Sequence, residues 1–540
     1  MKKGRPVVLD VEETEAFLDR VKAHALENED YDLIVGITEG YVRVTQALSE
    51  KEISISRLRS ILFGASTEKT AIVFRDDTTP PEGEVDPAAA EDETGSPKRR
   101  KGHGRRGAEA YTGASRIPVP HESLKHGEAC PCCGRGKVYK EAKPRLKIWV
   151  TGGPPLAADL YERETLRCNL CGESFVAQLP EGVDTDKYDE TAVSMAAVLK
   201  YGTGMPFYRL GMLQDSLGIP LPPSTQWDLV SQAADRISPA FAELVRQAAQ
   251  GKVIHNDDTG MKLLSAPEQH DDEDEADGKE QSTRKGVFTT GIVSIVEGHE
   301  VAIYCTDRHH AGESLEALLR KRAEELSAPI QMCDALSRNV PKEFETVLAN
   351  CLAHGRRRFV EVASSFPHEC RFVLETLRDV YKYDDRAKKE KLSHEERLEF
   401  HQRNSGPLME GLKKWFEAQF SEKKVEPNSN LGKAITYMLK HWDRLTLFLQ
   451  KPGAPLDNNL VERALKLAIL NRKNAYFYRT QNGADVGDLF MSLIQSCRLS
   501  RANAFEYITT LQRHADKVYA NPSEWMPWNY KDTLQLLKSD

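Results

Sequence analysis

The chain has 540 residues, 40% of them hydrophobic, and a formal net charge of −8 at pH 7. At roughly 150 residues per domain it should form three or four domains, and a membrane span is not expected because there is no run of about 18 apolar residues. The first apolar stretch is too short for a secretory signal, and the ten cysteines favour metal binding or burial over disulfides, so a cytoplasmic protein is expected.

The negative charge is concentrated in two segments. Residues 76–93 contain eight acidic residues and no basic one, and residues 268–280 contain eight acidic residues and one lysine. Together they carry −15, so the other 509 residues carry +7. This mildly basic remainder is compatible with binding to phosphate groups.

The region 1–74 contains a heptad pattern between residues 30 and 64. Eight positions follow one another there at alternating steps of four and three, and all except Lys51 are apolar: Ile37, Tyr41, Val44, Leu48, Lys51, Ile55, Leu58 and Leu62. The spacing predicts a leucine-zipper-like helix that associates with a second copy of the chain. The alternative is one amphipathic helix that packs on its own domain.

Residues 75–120 have the composition of a flexible linker, with Pro, Gly and Ser between charged runs. The second half forms a basic arm whose cationic residues are Lys98, Arg99, Arg100, Lys101, Arg105 and Arg106. Such an arm can follow a phosphate backbone, and a solvated tail without a partner is the alternative.

Two Cys-x-x-Cys pairs occur in residues 121–182, and each is followed by glycine. The pairs are Cys130 with Cys133 and Cys168 with Cys171, and Cys132 could replace Cys133. Together with strand-like alternation between the pairs, they predict a zinc ribbon with a structural Zn²⁺ ion. The remaining cysteines are expected in the core: Cys305, Cys333, Cys351, Cys370 and Cys497.

Residues 183–250 are predicted to be helical. One helix is expected from Tyr208 to Leu217, a break at Gly218, and a following helix with Ser224 as its N-cap. This helix–turn–helix outline could enter a major groove, but it is equally typical of an ordinary packed helix pair.

The segment 251–480 shows strands and acids in a specific order. A strand around Asp257 is followed by strands at 286–295 and 300–305 with a turn at Glu297-Gly298, a helix from 313 to 326, and a strand ending in Asp334. This is the order of a ribonuclease-H-like α/β core. In that core the first and fourth strands are neighbours, so Asp257 and Asp334 would meet.

Glu462 is a candidate third acid. It lies on a predicted helix that is capped near Asp457 and whose inward face comprises Leu460, Ala464, Leu467 and Ala468. Three carboxylates suit two Mg²⁺ (or Mn²⁺) ions that act on a phosphodiester. Each acid alone is more typical of a cap, a turn or a surface pair, so only the ordered set is informative.

Several blocks resemble the insertion sequence 66 family of bacterial transposases over nearly the whole chain. They lie at residues 57–69, 102–107, 116–121, 255–259, 310–313, 351–359, 455–463, 472–474 and 524–529. The resemblance implies a metal-binding triad of Asp257, Asp334 and Glu462, and a mostly helical insertion at about 340–450. It also implies action on the terminal inverted repeats of an element and on target DNA, often with small accessory proteins.

Other residues near these blocks remain open. Asp258 follows Asp257 directly and could be confused with the ligand, and Arg472 and Lys473 could contact phosphate. His309 and His310 could orient a ligand or water, but a capping role at the following helix is expected. The predicted class is a multidomain α+β DNA transposase that ends in a helical region at 481–540. Its rivals are a ribonuclease-H-like nuclease or resolvase and a non-catalytic DNA-binding regulator.

Overall fold

The computed structural model of the protein describes residues 186–265 and 286–539, most of 123–139 and 155–183, and positions 31, 118 and 153. The heptad positions 37–62, the basic arm, the two acidic segments, Cys168 and Cys171 lie outside the described residues.

Nine strands and fifteen α-helices are defined within these residues. The strands are β1 Thr165–Arg167, β2 Ser174–Val176, β3 Val253–Met261, β4 Leu263–Ser265, β5 Val287–Val296, β6 His299–Asp307, β7 Ile330–Cys333, β8 Val347–Asn350 and β9 Tyr478–Thr480. The helices before β8 are α1 Glu190–Ala197, α2 Phe207–Ser216, α3 Pro223–Ala248 and α4 Ala311–Leu319. The later helices are α5 Leu352–Val362, α6 Pro367–Lys389, α7 His394–Asn404, α8 Gly406–Ser421, α9 Asn430–Lys440, α10 Trp442–Leu445, α11 Asn459–Ala475, α12 Gln481–Leu499, α13 Ala504–Arg513, α14 Ala515–Ala520 and α15 Tyr530–Ser539.

A five-stranded mixed sheet has the order β6-β5-β3-β7-β8. Strand β5 runs antiparallel to both of its neighbours, whereas β3, β7 and β8 run parallel to one another. The predicted pairing of the strand around Asp257 with the strand before Asp334 is therefore confirmed. The predicted turn between β5 and β6 is also confirmed, because Glu297 and Gly298 both have positive φ, as a tight hairpin turn requires.

Helices α11 and α12 pack on this sheet. On α12, Ser492 Oγ accepts from Tyr304 N at 2.9 Å, Ser496 Oγ accepts from Ala302 N at 3.0 Å, and buried Asp488 accepts from Thr306 Oγ1 at 2.7 Å. The small and polar side chains of α12 thus bring the helix close to β6 and satisfy its backbone groups.

Two predicted helix boundaries were wrong. Helix α3 begins at Pro223 rather than after a Ser224 cap, because proline at the first helical position needs no hydrogen-bonded amide. Helix α4 ends at Leu319 instead of 326. There, Arg322 donates to the carbonyls of Ala249 and Gly251 at 2.7 and 2.9 Å, and these tertiary contacts replace further helical turns.

The chain divides into two compact units. One contains residues 355–389 and 407–437, a helical segment in which the Phe359 and Phe416 rings stack with centroids 5.6 Å apart. The other contains residues 78–354, 390–406 and 438–540, and it includes the whole five-stranded sheet. In the described part of the chain, no helix is long and apolar enough to cross a bilayer.

Candidate active site

The first two candidate acids lie at the same edge of neighbouring strands. Strands β3 and β7 pair in parallel with His255 opposite Met332, and Asp257 and Asp334 each lie two residues farther along. Because parallel strands advance in step, this register places the two carboxylates side by side. Asp257 is within β3, and Asp334 directly follows β7.

The third acid, Glu462, is in the first turn of α11, and the start of this helix is anchored on β3. The N-cap residue Asn458 donates from Nδ2 to the Asn256 carbonyl at 3.1 Å, and its Oδ1 lies 3.1 Å from His255 Nδ1. Burial lowers the pKa of His255 to about 4, so the ring is neutral and can donate from Nδ1 to Asn458. These bonds fix the helix that carries Glu462 next to Asp257.

The electrostatics of Asp257 show that the three acids interact. Burial is the largest of the causes that together raise the pKa of Asp257 to about 7; the charges of Asp334, Asp258 and Glu462 act in the same direction, and a hydrogen bond from the Asp258 amide opposes them. Like charges held together in a partly desolvated place favour a bound cation. Within the described residues, the charges of Asp334, Asp258 and Glu462 therefore all act on Asp257.

Asp258 has a different environment from Asp257, because successive side chains of a strand point to opposite faces. Its two oxygens pair with Arg338 Nη2 at 3.3 Å and with His310 Nδ1 at 3.2 Å, and its side chain is only 3% exposed. His310 is the N-cap of α4 and donates its amide to Glu313 Oε2 at 2.8 Å, so its predicted capping position is confirmed.

A buried amide network supports Asp334. Asn339 donates from Nδ2 to Asp334 Oδ1, and the Leu336 amide donates to the same oxygen at 3.3 Å. The Asn339 carbonyl accepts from Gln331 Nε2 at 2.7 Å and from Asn256 Nδ2 at 2.8 Å. The loop after β7 is therefore held by side chains of both central strands.

Arg472, one of the predicted phosphate-binding residues, lies near the far end of β3. Its Nη1 donates to Thr259 Oγ1 at 3.0 Å and to the Gly260 carbonyl. Lys473 is exposed on the same helix. Helix α11 thus carries an acid in its first turn and two cations in its last turn, where Arg472 contacts the part of β3 beyond Asp257.

Two residues near Glu462 were not recognised as site residues from the sequence. Cys351 was assigned to the core and is fully buried, but its sulfur lies in a cluster with His354 and Glu462. The Cys-x-x-His spacing was the available signal. More than a hundred residues separate it from Glu462, so the juxtaposition required the fold.

The described half of the predicted zinc ribbon is a turn in which backbone amides face the Cys133 thiol. The Cys130 amide donates to the Gly136 carbonyl at 2.7 Å, and hydrogen bonds from the Gly136 and Arg135 amides and from Cys130 lower the pKa of Cys133. Strands β1 and β2 pair on either side of the segment that contains Cys168 and Cys171, which are not among the described residues.

Comparison with known proteins identifies the family of this chain. A family model described as "Transposase IS66 family" matches residues 187–486, more than half of the chain. The chain belongs to this family.

Two relatives of this IS66 family member come from Sinorhizobium fredii. The uncharacterized protein y4hP is 25% identical over 538 residues, which cover 89% of this chain and 88% of the relative. The uncharacterized protein y4jD is 24% identical over 508 residues, which cover 88% of this chain and 94% of the relative. The similarity therefore extends well beyond the region matched by the family model.

Proposed function

We propose that this IS66 family member is a DNA transposase whose reaction centre consists of Asp257, Asp334 and Glu462. The observation that carries the proposal is the convergence of three acids from distant parts of the chain. Two are side by side on paired strands, and the third is on a helix anchored to the same strand. Their mutual electrostatic influence at Asp257 supports one shared site.

The sheet supports a ribonuclease-H-like core for this reaction. Its first and fourth strands in chain order, β3 and β7, are parallel neighbours, and the second strand, β5, alone is antiparallel. An α-helix connects the third strand to the fourth, as in the predicted order. Helices occupy most of the chain between β8 and α11, where the family insertion is expected.

Asp257, Asp334 and Glu462 would hold the Mg²⁺ or Mn²⁺ ions. Bound in such a site, these ions stabilise the attacking and leaving oxygens of an in-line phosphodiester displacement. The protein supplies the geometry: Asn458 positions the helix of Glu462, and Asn339 orients Asp334. Arg472 and Lys473 would bind the phosphate backbone of an element end or of target DNA beside the acids.

The remaining partner proposals concern the amino-terminal regions. Zn²⁺ held by Cys130, Cys133, Cys168 and Cys171 would stabilise the ribbon, and the amides that point at Cys133 support this assignment. The basic arm would add contacts to DNA, and the heptad segment would join two copies of the chain. Small proteins encoded by the same element are the expected accessory partners.

The test is cleavage and strand transfer on labelled element-end DNA with Mg²⁺. Wild type is compared with Asp257→Asn, Asp334→Asn and Glu462→Gln, and Asp258→Asn is the matched control on the opposite face of β3. We expect each triad variant to bind DNA but lose cutting and joining.

Three other outcomes contradict the proposal in different ways. Binding without cutting by wild type in the presence of its accessory proteins would identify a DNA-binding regulator. Cutting without joining would identify a nuclease. Cutting that survives the loss of any one triad acid would show that the triad is misassigned.

A further inference from the structure

A second group of potential metal ligands adjoins the proposed triad and shares only Glu462 with it. One ligand atom from each of Cys351, His354 and Glu462 lies within 4.8 Å of the other two. His354 Nδ1 is 3.8 Å from Glu462 Oε1. Cys351 directly follows β8, His354 is in the first turn of α5, and Glu462 is in the first turn of α11.

The backbone holds these two helix starts together. The Leu352 amide donates to the Leu456 carbonyl at 3.0 Å, and the Asn458 amide donates to Cys351 Sγ at 3.2 Å. The second bond resembles the amide-to-sulfur bonds that orient cysteine ligands in metal sites. The cluster is therefore positioned by main-chain contacts and does not depend on flexible surface side chains.

Two of the three ligand atoms lack a hydrogen-bond partner. Both His354 Nδ1 and Glu462 Oε1 are shielded from solvent and make no hydrogen bond, and their separation of 3.8 Å exceeds hydrogen-bond range. Buried polar atoms are normally satisfied, so an unpaired nitrogen and an unpaired oxygen that face one site indicate a missing ligand. The thiol of Cys351 completes a set with three different donor types.

We propose that Cys351, His354 and Glu462 bind a divalent transition-metal ion of the zinc class. Sulfur and imidazole donors select borderline ions, whereas Mg²⁺ prefers oxygen ligands. On binding, the Cys351 thiol releases its proton to solvent and forms a sulfur–metal bond. Three protein ligands leave a fourth position open. This site shares Glu462 with the proposed reaction centre, and the inference rests on the proposed function in that respect only.

Cobalt(II) is a suitable probe, because its sulfur charge-transfer and tetrahedral bands report thiolate ligation directly. The full-length protein is titrated with Co²⁺ without oxygen, and bound metal is counted by equilibrium dialysis. The proposed ribbon cysteines contribute equally to wild type and variants, so the measured quantity is the difference between them. Cys351→Ser and His354→Gln should each bind one Co²⁺ fewer than wild type, and Cys351→Ser should also lose the corresponding sulfur band.

The matched controls are Cys497→Ser, a buried cysteine on α12, and His309→Gln, a histidine outside the cluster; both should retain the full amount of Co²⁺. Circular dichroism identifies any variant that does not fold, and half-exposed His354 makes His354→Gln the safer variant. Equal cobalt binding by wild type, folded Cys351→Ser and folded His354→Gln would overturn the proposal, and would show that His354 and Glu462 form only an ion pair.

The triad variants separate this proposal from the reaction. Asp257→Asn should abolish DNA cutting. The Asp257→Asn chain should still bind one Co²⁺ more than the double variant Asp257→Asn/Cys351→Ser, just as wild type binds one more than Cys351→Ser. If the two Asp257→Asn chains bound the same amount of Co²⁺, there would be a single centre that requires all the acids. This result would also overturn the proposal of a separate site at Cys351, His354 and Glu462. Absence of cutting by wild type, with the cobalt signal intact, would refute the proposed function alone.

Discussion

Gly291 on β5 faces helix α11 directly across from Asp257, so its substitution tests how the sheet positions Glu462. A β-carbon at this position would lie 2.8 Å from Leu465 Cδ2, 2.9 Å from Leu465 Cγ and 3.4 Å from Val461 Cγ2. The first two distances are far shorter than a normal carbon–carbon contact. In Gly291→Ala, Leu465 must therefore change its rotamer, or α11 must move away from the sheet.

The expected cost follows from the packing. Inserting a methyl group into this contact should destabilise α11 by about 1–3 kcal/mol. Leu465→Ala alone should cost about 2–5 kcal/mol, because Leu465 is buried and leaves a cavity. In the double variant the new methyl occupies part of that cavity, so the total should be smaller than the sum by roughly 0.5–3 kcal/mol.

Hydrogen exchange of the amides in residues 459–475 measures the local free energy of opening, and cleavage of element-end DNA reports the position of Glu462. Gly291→Ala should lower both protection and cleavage, and adding Leu465→Ala should lower the protection by less than Leu465→Ala does in the wild-type chain. Gly260→Ala is the control on β3, because the nearest atom to its β-carbon would be Arg472 Nη1 at 3.9 Å. Additive effects of the two substitutions, or unchanged protection in Gly291→Ala, would refute the argument.

Three further predictions use other buried charges. Asp258→Asn should retain DNA cleavage that Asp257→Asn abolishes, and equal loss in a cleavage assay would contradict the different roles of the two acids. Burial lowers the pKa of Lys200 to about 8 from 10.5, so protonation favours the unfolded chain. The difference in the free energy of unfolding between wild type and Lys200→Met should therefore change by about 3 kcal/mol in favour of wild type as the pH rises from 8 to 10.5. Urea titration measures this difference, and a difference that does not change with pH would refute the prediction. Burial raises the pKa of Asp488 well above its usual range, which favours the neutral form of the acid. Asp488→Asn should cost less than about 1 kcal/mol and Asp488→Ala about 1–3 kcal/mol in thermal unfolding, whereas equal costs would argue against a neutral acid.

The sequence was most informative where the signal is local. Alternating and continuous apolar runs identified β3, β5, β6 and β7 close to their observed bounds, and the Glu297-Gly298 turn followed from its residues. The pairing of β3 with β7 could be predicted because strand order in a known core restricts the alternatives. These are the features that place Asp257 beside Asp334.

Features that depend on distant partners could not be predicted from the sequence. Helix α4 continues as a periodic pattern to 326, but hydrogen bonds from Arg322 to the end of α3 stop it earlier. The start of α11 near Asp457 could be predicted, since Asp457 Oδ1 accepts from the Asn459 amide at 3.1 Å, but the bond from the Asn458 side chain to β3 could not. The role of Cys351 likewise depends on a helix more than a hundred residues later.

The bond between the Leu352 amide and the Leu456 carbonyl has a consequence for how this chain can diversify. The chain leaves the sheet at Leu352 and returns to it at Leu456. The core therefore already holds together the two ends of the roughly one hundred residues between them. For a loop whose ends are fixed together, changing its length costs little entropy. Natural or engineered chains can therefore change the length of the helical segments 355–389 and 407–437 while Cys351 and Glu462 keep their positions.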